Sequence, residues 1–163
     1  MRRTLKALHE LAAVGMMGSL AACVVLIMTA TTDSPARFAA IRHAIAMVHQ
    51  YLYVPSLALA LISGLLAIAA TRAYQDAGWA WIKALTGVSM FEGSLLTIVG
   101  PAKKAAVLAE QALSGSGDPS ALAHLLHTEW SGTWVMLALA TANVVLGVWR
   151  PRLARRARQA QTD

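Results

Sequence analysis

Nine side chains that can do chemistry stand inside, or at the margins of, otherwise apolar stretches: His9, Cys23, Arg42, His43, His49, Lys83, Glu92, His124 and His127. Neutral imidazole ligates metal ions and haem iron. Ionisable groups in the same setting are functional candidates by default, which singles out Lys83 and Glu92, at different depths, as candidate catalytic residues. The single cysteine excludes an internal disulfide framework and a paired-cysteine metal or redox motif.

Spacing groups these residues if the segments are helical. At about 100° per residue, Arg42, His49 and Tyr53 share one stripe, while His43 and Met47 share another. His124 and His127 are one helical turn apart, and Glu92, Val99 and Lys103 align. Facing helices would bring Arg42, His49, His127, Glu129 and Tyr53 into one polar pocket with Glu92 beneath it. Two chemistries fit. A b-type haem would take His9 at an inner site, or His49, His127 and Arg42 at an outer one, because helix bundles hold haem between histidines on facing helices. Copper would use His43, Met47, His49, His124 and His127, because thioether and imidazole suit Cu(I), although no dense methionine cluster is present. The plainer reading makes His43, His124 and His127 contacts with interfacial water, Trp130 and Trp134 belt residues, and the methionines core filler. It leaves a scaffold or complex subunit with no chemistry of its own.

The elements that must position these residues follow from the distribution of charge. Hydrophobic residues make up 57% of the 163-residue chain and charged ones 13%, about half the share of a soluble domain. Between Leu11 and Ala30, Ala44 and Thr71, Ala84 and Ala102, and Ser131 and Trp149, Glu92 is the lone formally charged side chain. Each window approaches or exceeds the roughly 20 apolar residues that cross a bilayer as a helix. The expected fold is all-α, a four-transmembrane-helix up-down-up-down bundle with both ends in the cytoplasm, in a bacterial inner membrane. Residues 1–150 form the single transmembrane domain and residues 151–163 a basic cytoplasmic tail. The orientation comes from the basic side chains: Arg2, Arg3, Lys6, Arg72, Lys83, Arg150, Arg152, Arg155, Arg156 and Arg158 on one side against Arg37, Arg42, Lys103 and Lys104 on the other. The net charge of +6 therefore reads as anchoring to anionic lipid, not as nucleic-acid binding. Leu20-Ala21-Ala22-Cys23 resembles a lipoprotein cleavage site, but the apolar run continues through Met28, so the first helix is expected to be retained.

Along the chain, the first helix is expected over about Leu5–Ala30, ending in Thr31-Thr32-Asp33-Ser34-Pro35. The second runs from near Phe38 to Arg72 and should bend at Pro55. After a short loop at 73–78, the third passes Glu92, bends at Gly100-Pro101 and leaves the membrane as Ala102–Leu113, with Lys103 and Lys104 snorkelling. Asp118-Pro119 reads as an N-cap and first helical residue, opening the fourth helix well before it enters the hydrocarbon. By helical rise, Glu92 lies near the midplane, His9 and Lys83 about 13–16 Å toward the cytoplasm, and His49 about 12 Å the other way.

Three stretches resemble a known family. Leu5-Lys6-Ala7-Leu8-His9 leads into a small-residue helix, Pro55-Ser56-Leu57-Ala58-Leu59-Ala60-Leu61-Ile62-Ser63-Gly64 follows, and Trp79-Ala80-Trp81-Ile82-Lys83-Ala84-Leu85 opens the third helix. This order is similar to HemJ-type protoporphyrinogen IX oxidases and CopD-like membrane domains. It covers roughly residues 5–90; beyond it, Gly100-Pro101-Ala102-Lys103-Lys104 stands where the family carries an Asn-Glu-Pro-like segment. The resemblance implies a haem-binding or metal-handling four-helix scaffold in which His9 and Lys83 are the functional positions. A redox partner or quinone, and a second copy of the chain, are the partners compatible with it.

Overall fold

The computed structural model describes residues 2–30 and 33–149; Arg150 and the basic tail at 151–163 lie outside them. The described chain is four helical rods. α1 (Arg2–Thr29) is the first. The second consists of α2 (Pro35–Val48), a π-helical turn at His49–Tyr53, and α3 (Val54–Ala69). A single-turn α4 (Arg72–Gln75) links it to the third, made of α5 (Gly78–Ser94), a π-helical turn at Leu95–Val99, and α6 (Gly100–Leu113). α7 (Pro119–Trp149) is the fourth. All four rods are long and apolar enough to cross a membrane.

Local chemistry sets most of the boundaries. The Ser34 hydroxyl accepts from the Arg37 amide at 3.4 Å and caps α2, so the second rod starts at Pro35 rather than near Phe38. It ends at Ala69 rather than Arg72, because Thr71 turns to an extended conformation. At the head of α7, one Asp118 carboxylate oxygen accepts from the Ser120 amide at 2.9 Å, the Ser120 hydroxyl at 2.8 Å and the Ala121 amide at 3.2 Å. These bonds satisfy amides that a helix start leaves without partners. They also hold the exposed Asp118 carboxyl below the ordinary range, the Ser120 hydroxyl contributing most.

Both long rods carry a π-turn just ahead of a proline, and the two turns are built alike. The Val54 amide reaches back five residues to the His49 carbonyl, and the Gly100 amide does the same to Leu95. In each rod the proline, Pro55 or Pro101, follows the π-turn by two residues. A proline ring has no N–H and crowds the carbonyl four residues back, Tyr51 in one rod and Thr97 in the other. The wider turn bends the helix there. The two bends share one core, since Tyr53, Ile98 and Val99 pack together with Met16, Leu20, Leu57, Met90, Met136 and Ala140.

Close approaches fix the register. His9 lies against Gly64 and Ser56 against Gly15; Lys83 lies against Gly147, Met136 against Gly93, and Thr97 against Gly132. Residue numbers therefore rise along one member of each pair as they fall along the other. Gly132 is the tightest of these contacts to backbone: a Cβ there would sit 2.8 Å from the Thr97 carbonyl oxygen. That carbonyl is the one Pro101 leaves without its helical donor.

Candidate functional site

Two polar sites sit in this frame. The outer one starts from the buried stripe of α2, where Ala39, Arg42 and Ile45 turn inward and the π-turn carries the stripe on to His49 and Tyr53. α7 answers with Glu129, Thr133, Met136 and Ala140, all buried at alternating steps of four and three. The two stripes meet in an ion pair, Arg42 Nη2 donating to Glu129 Oε2, with both side chains only 1% exposed. The Thr133 hydroxyl donates to the Glu129 carbonyl at 2.7 Å. His49 is completely buried and packs edge-to-face on Tyr53, the ring centroids 5.9 Å apart. Cys23 and Ser19 of α1 and Ser94 of α5 are also buried polar residues of this interior, and Ser94 neighbours the Tyr53 hydroxyl. Among the described residues, Arg42 Nε, Glu129 Oε1, both His49 ring nitrogens and the Tyr53 hydroxyl have no hydrogen-bond partner. Such orphaned atoms are costly in a low-dielectric core.

The inner site is built on His9. Its Nδ1 lies 2.8 Å from the Ala60 carbonyl oxygen and 3.2 Å from the Ser63 hydroxyl. A carbonyl can only accept, so Nδ1 carries the hydrogen and donates. In the neutral ring this leaves the lone pair on Nε2. Ser63 is itself tied to the Leu59 carbonyl at 2.6 Å, and Gly64 leaves room for the imidazole, a Cβ there coming 3.4 Å from the ring. The contacts place Lys83 near the same depth: Gly87 meets Leu61, which puts Lys83 about one turn, ~6 Å, farther toward that end of the bundle. Its Nζ packs beside Gly147 of α7.

The expected outer pocket is thus assembled in part. Arg42, His49, Tyr53 and Glu129 all turn into the core. His127 does not; it is exposed. Two residues along a helix are about 200° apart, so once Glu129 faces inward His127 must face away. Glu92 also departs from expectation. It is exposed on the outward face of α5, not beneath the pocket, because Met90 and Ser94 take the inward positions. His43 and His124 are exposed, as the plainer reading had them. His43 is one residue from the buried Arg42, so it cannot share a face with His49. Among the described residues, no three His, Cys, Asp or Glu side chains come together to hold a metal ion.

Sequence reasoning did not single out Ser63 as the partner of His9, nor Thr133, Ser19 and Ser94 as buried polar residues. The signal for Thr133 was present, one turn after Glu129 on the same stripe.

The chain matches no family model, no curated protein and no solved structure. Function has to be read from the residues themselves.

Proposed function

We propose that the protein is a multi-pass protein of the bacterial inner membrane, with its helices up-down-up-down and both ends in the cytoplasm, that binds b-type haem through His9 for electron transfer or oxidoreduction. The opposed residue numbering across the α1–α3 and α5–α7 contacts supports the topology, and the asymmetry of basic side chains supports the orientation. The observation that carries the haem reading is the 2.8 Å bond from His9 Nδ1 to the Ala60 carbonyl. A ligating histidine characteristically donates its other ring N–H to a carbonyl or carboxylate, which fixes the tautomer and makes the free nitrogen a better ligand.

Haem would supply one-electron chemistry there. His9 Nε2 would hold the iron, the Ala60 carbonyl and Ser63 would orient the imidazole, and the Lys83 ammonium is at a depth suited to a carboxylate of the porphyrin or of a substrate. His49 fits the role less well. Among the described residues neither of its nitrogens has a partner, but the ring is enclosed by its own core, and a porphyrin would have to open that core beside the Arg42–Glu129 pair. Copper handling is the alternative, and it needs His43, His49, His124 and His127 to cooperate; His49 is interior while the other three are exposed. Titrating the detergent-purified protein with hemin tests the proposal. One equivalent should bind to wild type and to His49→Ala, and none specifically to His9→Ala. Equal uptake by wild type and His9→Ala would overturn it.

A further inference from the structure

Glu92 presents a separate problem. It lies near the middle of the third span, is exposed on the outward face of α5, and makes no hydrogen bond or ion pair among the described residues. Ionisable residues at that depth face the interior of a bundle or a partner, because hydrocarbon offers them nothing. The surroundings of Glu92 are patterned. Ile82 (45% exposed), Leu85 (70%) and Leu96 (77%) stand on the same outward face, and Ser89 between them is exposed as well. The steps from 82 to 85, 89, 92 and 96 alternate three and four, the repeat of a helix seam that meets another helix.

We propose that this stripe is a self-association surface: two copies pair along Ile82, Leu85, Ser89, Glu92 and Leu96, joining their Glu92 carboxyl groups and Ser89 hydroxyls across a two-fold axis along the membrane normal. A second copy is the occupant the geometry selects. Copies inserted with the same orientation place the same residue at the same depth, so a two-fold axis beside α5 brings each Glu92 to the level of its equivalent and within a turn of the other Ser89. A carboxyl group and a hydroxyl each donate and accept, so this one stripe is complementary to itself. Ser89 is small and lets the two helices approach closely, the usual condition for such pairing in lipid.

The test uses the full chain in lipid. With Cys23→Ser as background, Ser89→Cys should form a disulfide-linked dimer on mild oxidation of native membranes, and Val135→Cys, also exposed but on α7, should not. In liposomes, single-molecule photobleaching should show wild type shifting from monomer to dimer as protein density rises. Glu92→Ala should raise the dimer dissociation constant about 5- to 30-fold, the equivalent of one or two interhelical hydrogen bonds. Glu92→Gln, which keeps a donor and an acceptor, should stay near wild type. Wild type remaining monomeric at every density would overturn the proposal, and so would unchanged dimerisation of Glu92→Ala. Cross-linking at Val135 equal to that at Ser89 would overturn it as well. None of these readouts depends on haem.

Discussion

Removing Glu129 should damage the fold far more than removing both partners of its ion pair. Arg42 and Glu129 are each 1% exposed, so Glu129→Ala leaves a guanidinium desolvated and uncompensated. Breaking such a pair from one side costs about 3–5 kcal/mol, whereas replacing both ions by apolar groups of similar volume is often neutral or favourable. The structure makes the cost specific. Among the described residues the Arg42 Nε already lacks a partner, and the bond to Glu129 is the hydrogen bond this guanidinium makes. Arg42→Ala should cost less than Glu129→Ala if a carboxyl group left alone in the core takes up a proton, which a guanidinium cannot release. Reversible unfolding in mixed micelles, followed by tryptophan fluorescence, would measure each. The expected outcome is a loss of about 3–5 kcal/mol for Glu129→Ala, with the Arg42→Leu, Glu129→Leu double variant recovering most of it. A loss below about 1 kcal/mol for Glu129→Ala, the range of an exposed pair, would refute the buried pairing. A double variant no better than the worse single would refute the argument from desolvation.

Other outcomes follow from particular contacts. Gly132→Ala should destabilise the bundle by about 1–3 kcal/mol, as overpacking does, because its Cβ would press on the Thr97 backbone carbonyl at 2.8 Å; the same unfolding assay reads it. Asp118 contributes stability above its unfolded value of 3.8 that is lost as pH falls through its lowered folded value. Protection of the amides in the first turn of α7, taken relative to their intrinsic exchange rates, should therefore fall below pH ~3.8, and Asp118→Ala should remove that dependence. A cysteine at Ser116 should react with an impermeant thiol reagent from the periplasmic side and one at Gln161 should not; the reverse pattern would invert the orientation.

Much of the fold was legible because lipid and proline leave few choices. Apolar windows set the four rods, Pro55 and Pro101 marked the places where both long rods depart from a regular α-helix, and Asp118-Pro119 marked the start of α7. The stripe of Arg42, His49 and Tyr53 was also readable from spacing, and a π-turn between them did not break it. What sequence could not supply was the rotation of each rod about its own axis. α5 carries residues of mixed polarity around its circumference, so nothing local decided that Met90 and Ser94 would turn inward and Glu92 outward. On α7, Glu129 and His127 compete for the inward direction, and the choice went to the residue that meets Arg42 across the bundle. The partner of His9 was hidden for a similar reason: Ala60 and Ser63 are unremarkable until the register of α1 against α3 is known.

The proposed ligation of haem by His9 would show in the reduced-minus-oxidised visible spectrum of the protein purified in detergent from cells supplied with haem precursor. Wild type and His49→Ala should show the Soret and α bands of a b-type haem, and His9→Ala, equally well folded by tryptophan fluorescence, should not. A colourless wild type, or bands that survive in His9→Ala and vanish in His49→Ala, would rule it out.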